Sequence, residues 1–103
     1  MNEKRLRGLM GLCVRAGQAV FGEDSCLKAL RSGQAAVLLM DGGISEGSAS
    51  KYGQACSGEG ISLFRLPEGL LEEATGRPGR AMAVRKGSFA EQIAACFGTD
   101  QPG

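Results

Sequence analysis

Ala35-Ala36-Val37-Leu38-Leu39-Met40 is an apolar run with no polar interruption. A strand with one wet face alternates in polarity. An unbroken run of this length, bounded by Gly33 and by Asp41-Gly42-Gly43, predicts a strand covered on both faces of a layered sheet. Downstream, Ser45 is placed to cap a helix over 45–57 in which Ala49, Tyr52 and Cys56 share a face. Gly47 and Gly53 oppose that helix, and Gly58 and Gly60 close it. Ile61-Ser62-Leu63-Phe64-Arg65-Leu66 reads as the next strand. Strand, helix and strand within about thirty residues form a βαβ unit, normally parallel with a right-handed crossover.

The same punctuation extends outward. Gly22-Glu23-Asp24-Ser25-Cys26-Leu27-Lys28-Ala29-Leu30-Arg31-Ser32-Gly33 reads as a glycine hinge, a helix with an acidic first turn and a glycine stop, preceded by a short strand at 18–21. Leu6, Leu9, Met10, Cys13 and Val14 give residues 4–16 one apolar helical face, with Gly17 as its stop. Gly8 and Gly11 in that helix suggest close approach of another element. Past the βαβ unit, Pro67 suits the first position of a helix carrying Leu70, Leu71 and Ala74 and ending at Gly76. Arg77-Pro78-Gly79-Arg80 is a tight basic loop, and Ala81-Met82-Ala83-Val84 a last strand. Ser88-Phe89-Ala90-Glu91 matches a capping box. The final helix runs to about Phe97, with Phe89, Ile93 and Cys96 or Phe97 inward, and residues 98–103 read as a frayed tail. The whole predicts one domain over 1–103: a three-layer α/β/α sandwich around a small four-stranded mixed sheet.

Composition narrows the function. A chain of 103 residues can bury one modest core, and no stretch has the apolar length of a membrane span or a signal-type core. The expectation is a cytoplasmic protein without membrane contact. Cys13, Cys26, Cys56 and Cys96 are widely spaced, form no CxxC pair and have no histidine to join. They read as reduced, buried small apolar side chains rather than a metal site. Gly42-Gly43 after a strand lacks the spacing of a phosphate loop, so no nucleotide or other cofactor is expected. Cys26 near a helix start raises a reactive thiol, but its spacing places it with Leu27 and Leu30 toward packing.

The net charge of +1 hides a pattern. Residues 1–36 hold six basic and three acidic side chains, residues 37–75 two and six, and residues 76–103 four and two. If the fold joins the two ends of the chain, one face is positive. An ordinary solvated surface explains the same count.

This order of elements, with Gly22 through Gly33, Val37 to Asp41, and Ala81 to Phe89 feeding the last helix, resembles the kink-turn-binding ribosomal protein family of the L-seven-Ae type. The resemblance spans roughly residues 4 to 97 and is strongest toward bacterial members. In that family the glycine is followed by a small or polar residue, then Asn-Glu, then a lysine three positions beyond the Glu. These residues read the guanines of tandem sheared G·A pairs. Here the Asn falls on Asp24, the Glu on Ser25 and the lysine on Lys28, so the glycine and the lysine match. The family's second contact is the loop before the last strand, here Ala74-Thr75-Gly76-Arg77-Pro78-Gly79-Arg80.

The resemblance implies a non-enzymatic, ribosomal-protein-like monomer that binds structured ribosomal or other non-coding RNA. The ribosome or RNA-associated proteins would be further partners. Gly22, Glu23, Asp24 and Ser25 would offer backbone N–H groups, and Lys28 charge and a hydrogen bond. Arg31, Arg77 and Arg80 would position the RNA backbone, and Thr75, Gly76 and Pro78 would pack with their loop on the RNA bend. It also implies that the basic ends of the chain meet around this site. The alternative is a protein-interaction adaptor on the same fold that has lost kink-turn recognition.

Overall fold

In a computed structural model describing residues 1–98, the apolar run is an inner strand of the sheet. The elements are α1 (Glu3–Arg15), β1 (Ala19–Phe21), α2 (Glu23–Arg31), β2 (Ala35–Asp41), α3 (Glu46–Glu59), β3 (Ser62–Leu66), α4 (Leu70–Thr75), β4 (Ala81–Arg85) and α5 (Ser88–Ala95). The strand order is β1-β4-β2-β3. The β2–β3 pair is parallel, as the βαβ reading requires, and β4 runs antiparallel to both β2 and β1. The sheet is therefore mixed and four-stranded. Of the expected tail, residues 99–103 lie outside the described residues.

Period-two alternation sorts the strand side chains into two cores. Val37, Leu39, Met82 and Val84 face α1, α4 and α5, where Leu6, Met10, Leu71 and Ile93 are fully buried. Leu38, Met40, Ala81 and Ala83 face α2 and α3, against Cys26, Leu30, Tyr52 and Cys56. Both faces of β2 are covered, which is why its sequence shows no alternation. A register shift between Ala35 and Val37 adds a residue to β2 opposite β4. Cys96 and Phe97 are both buried just beyond α5, and the Phe97 ring stacks on Phe64 with centroids 4.0 Å apart. All four cysteines are buried free thiols. Among the described residues no helix is long and apolar enough to cross a membrane.

Three local expectations fail for identifiable reasons. Pro67 does not open α4. Gly69 stands at φ +88 as the N-cap, and Pro67 instead accepts a turn hydrogen bond from Leu70 N–H at 3.1 Å. Ser88 and Glu91 form no capping box: Gly87 is the N-cap, and the Ser88 hydroxyl accepts from Gln92 Nε2 at 2.9 Å. Gly8 admits no close neighbour, since a Cβ there would meet nothing within 4 Å, and one on Gly11 would reach Ala74 O at an ordinary 3.5 Å.

The helix over α3 forms despite Gly47 and Gly53, because Ser45 caps it by accepting from Ser48 N–H, and Tyr52, Ala55 and Cys56 bury its inner face. A Cβ on Gly53 would meet nothing within 4 Å. On Gly42 it would stand 2.7 Å from Leu66 O and 2.9 Å from Glu68 N. Gly53→Ala should therefore raise stability by about 0.5–1 kcal/mol. Gly42→Ala should lower it by about 1–3 kcal/mol. Urea unfolding midpoints of the two variants check both signs.

Candidate nucleic-acid interface

The site is built where β2 and β3 end and β4 begins. There the α4–β4 loop lies across from the start of α2. Gly22 and Glu23 on one side and Pro78, Gly79, Arg80 and Ala81 on the other flank a groove of about 440 Å³, with Gly43, Ile44, Ser45, Ser48 and Tyr52 completing it. Gly22 adopts φ +91 and provides no side-chain cap, so α2 presents its first N–H groups toward this end. The loop opposite leaves α4 through Gly76 at φ +70 and bends again at Gly79 at φ +137, conformations that favour glycine at both places.

Asp41 sets the walls of the groove. Its carboxylate is 1% exposed. Oδ2 accepts from Gly43 N–H at 2.8 Å and from Arg80 Nη1 at 3.1 Å, and Oδ1 accepts from Gly69 N–H at 2.9 Å. Burial opposes ionisation, but the Gly43 and Gly69 amides and the Arg80 guanidinium together hold the carboxyl below the usual aspartate range. Arg80 remains well exposed beyond this ion pair, with its remaining donors at the groove rim.

The other expected residues fall into distinct groups. Glu23 lines the groove, but its carboxylate accepts from Ser48 Oγ at 2.6 Å and Lys51 Nζ at 3.3 Å, tying α2 to α3. The Ser48 and Lys51 bonds hold its pKa low. Asp24, Lys28 and Arg31 line a separate shallow depression along α2 with Leu27 and Ser32. Ser25 is exposed on α2 and lines neither. Thr75 Oγ1 donates to Leu71 O at 2.7 Å and accepts from Arg77 N–H at 3.1 Å, so it shapes the loop. Gly76 is the C-cap of α4, its N–H on Glu72 O. Arg77 lies over the Phe21 ring, its guanidinium carbon 4.5 Å from the centroid, a cation–π contact that fixes the base of the loop.

Sequence reading missed the β2–α3 wall. Tyr52 is buried as expected for a core residue, yet its edge lines the groove together with Ile44 and Ser48. The available signal was Asp41 itself, a charge closing an otherwise apolar strand. Cys26 packs as expected: it is fully buried, its thiol donates to Val20 O at 3.2 Å, and burial pushes its pKa up. Burial also raises Cys13 and Cys56 to about 11, so these thiols stay protonated at neutral pH.

No family model matches the chain, and no curated protein matches it in sequence. Its fold is shared with solved structures. A protein of unknown function from Bacillus halodurans superposes with a TM-score of 0.84 at 24% identity, over 93% of this chain and 97% of that one. The 15.5 kDa RNA-binding protein of Giardia lamblia superposes with a TM-score of 0.68 at 16% identity, over 88% and 86%. The Pelota protein of Thermoplasma acidophilum gives 0.64 at 13% identity, over 82% of this chain and 28% of that one.

The Asp41 cluster carries a pH signature. With its native pKa depressed, its contribution to stability is complete above the ordinary aspartate value of about 3.9 and fades as pH falls through the lower native value. Asp41→Asn should lose roughly 2 kcal/mol at pH 7, because the side-chain NH2 would face one of the Gly43 and Gly69 N–H donors, which lose their charged acceptor. It should also show a flatter loss of stability below pH 4 than the parent. Urea titrations at pH 7, 4 and 3 measure both.

Proposed function

We propose that the chain is a non-catalytic RNA-binding protein that holds structured RNA, ribosomal or other non-coding, at a kink-turn or internal-loop bend. The observation that carries this reading is the groove between the uncapped start of α2 and the α4–β4 loop. One wall offers backbone N–H groups at a helix N-terminus, and the other offers Arg80 with Arg77 behind it. The groove's two sides are the two stretches singled out by the family resemblance. The fold shared with an RNA-binding protein of Giardia lamblia over 88% of this chain supports the same assignment.

In this reading backbone N–H groups from Gly22 to Ser25 contact base edges or phosphate, and Lys28 adds charge from the adjoining depression. Arg77 and Arg80 hold the RNA backbone. Asp24 keeps an acceptor where the family has Asn, and Ser25 is too short to reach a guanine edge as a Glu does. Recognition therefore leans on shape and backbone amides more than on side-chain readout. The adaptor reading draws on the same two positions and on Glu23 being engaged by Ser48 and Lys51.

The test is affinity for a standard kink-turn RNA against a plain duplex of equal length over a salt series. The kink-turn should bind more tightly, and Lys28→Ala should weaken it by about 1–3 kcal/mol, the scale of one lost polar contact to a base in DNA readout. Arg77→Ala and Arg80→Ala should each lower the slope of log affinity against log salt by about one. Equal affinity for both RNAs would leave only backbone electrostatics. Absence of binding to either would favour the adaptor.

A further inference from the structure

Four cations from the two basic ends of the chain, Arg15, Arg31, Arg85 and Lys86, meet at the pole of the sheet opposite the groove. There β1 and β2 begin and β4 ends, with Ala19 paired to Val84 and Ala35 to Arg85. Arg15 ends α1, Arg31 ends α2, Arg85 ends β4, and Lys86 follows in the turn. Arg85 N–H donates to Gln18 O at 2.9 Å and Lys86 N–H to Gln34 O at 3.0 Å, which fixes these segments side by side. Arg85 Nη1 also reaches Gln34 Oε1 at 3.4 Å. Lys86 Nζ lies 4.0 Å from where a Cβ on Gly33 would stand, against the last turn of α2. Arg15, Arg31 and Lys86 are exposed and Arg85 is half-buried. Among the described residues, the carboxylates held in ion pairs belong to Glu3, Glu23, Asp41 and Glu73, and none pairs with these four cations.

Two features separate this cluster from ordinary helix ends. Arg15 and Arg31 complement the partial negative charge of helix C-termini. Arg85 belongs to a strand end, where no such dipole accounts for it, and Lys86 to the turn after it, with its Nζ near the C-terminal end of α2. The acids of this pole lie toward β3: Glu59 ends α3, and Glu91 borders a cleft with Ala36, Val37 and Ser62. Arg15 ends a helix on one face of the sheet and Arg31 a helix on the other, with Arg85 and Lys86 at the sheet between them, so the cations run across the layers rather than converging on one point. Such a row matches an extended polyanion better than a single phosphate. Three of the four are arginines, whose guanidinium forks match phosphate oxygens. Leu12, 51% exposed on α1, is a single apolar side chain and makes no membrane-inserting face.

We propose that this pole is a second phosphate-contacting surface, which takes the backbone of a double-helical RNA segment while the groove takes the bend. The choice of RNA as the polyanion rests on the function proposed above. One small domain would then touch two RNA segments on opposite sides of a body about 30 Å across.

The test uses the full chain and the same two RNAs. In the variant Arg15→Gln, Arg85→Gln, Lys86→Gln, plain duplex affinity at low salt should fall about tenfold or more, and the salt slope by about two to three. Kink-turn affinity should persist through the groove, so the preference for it should widen. In Arg77→Ala, Arg80→Ala the pattern should reverse: kink-turn affinity drops toward that of the duplex, and duplex affinity holds. The charge-keeping variant Arg15→Lys, Arg85→Lys should keep the parent's salt slope and most of its duplex affinity, which separates charge from folding. Duplex affinity unchanged in the glutamine variant, or no duplex affinity in the parent, overturns the proposal. A parent without kink-turn preference sinks the groove reading alone, because the duplex comparison still decides the pole.

Discussion

A single buried carboxylate organises one end of this fold. Asp41 closes β2 and binds the β2–α3 turn through Gly43, the β3–α4 turn through Gly69 and the α4–β4 loop through Arg80. The main chain of Asp41 adds a fourth tie, its N–H donating to Arg80 O at 2.7 Å. An ion taken this far from water is unfavourable unless its acceptor sites are filled, and here both oxygens accept. Hydrophobic packing cannot supply this geometry, because it is non-directional and the connections it would hold are short, polar and glycine-rich. The same cluster explains Gly42: with Leu66 O and the Glu68 amide so close, no side chain fits.

The groove follows from that clasp. Its α2 wall is positioned by the core under Cys26 and Leu30 and by the Glu23 bonds to α3. Its other wall is a loop held by Asp41 at Arg80, by Thr75 at its start and by Phe21 beneath Arg77. A loop anchored at three places keeps less conformational freedom to lose on binding. That matters for a site whose expected readout side chains are short: preorganised amides and guanidinium groups must do what an Asn-Glu pair does elsewhere.

The layers of the fold were legible because each depends on local periodicity. The unbroken β2 run, the apolar face of α1 and the glycine stops at Gly17, Gly33 and Gly60 are patterns within a few residues, and all three glycines adopt the positive φ they suggest. The failures share a cause. Pro67 and Ser88 carry strong local preferences, but a glycine two residues after Pro67 and one immediately before Ser88 took the cap positions. At the site, the glycine hinge and the basic loop were legible as motifs, and the structure brings Gly22, Glu23, Pro78 and Arg80 to one groove. Arg31 lies a helix length away, at the last turn of α2. The role of Asp41 was illegible because its side-chain partner Arg80 stands 39 positions downstream, where no local pattern reaches.

Charge placement, finally, argues for a division of labour within one small domain. At the groove end Arg80 is paired with Asp41 and Glu23 with Lys51, so most of its charge is locally compensated and its long-range attraction for a polyanion is reduced. Selectivity there must come from contacts made at close range, with Arg77 and Arg80 adding a salt-dependent share through the RNA backbone. The opposite pole has the reverse character: few hydrogen-bonding constraints, exposed cations and no paired acid among the described residues. A surface of that kind attracts at distance and discriminates poorly. Both are present in a chain whose total charge is +1. Net charge alone therefore underestimates how strongly one side of this molecule can attract a polyanion.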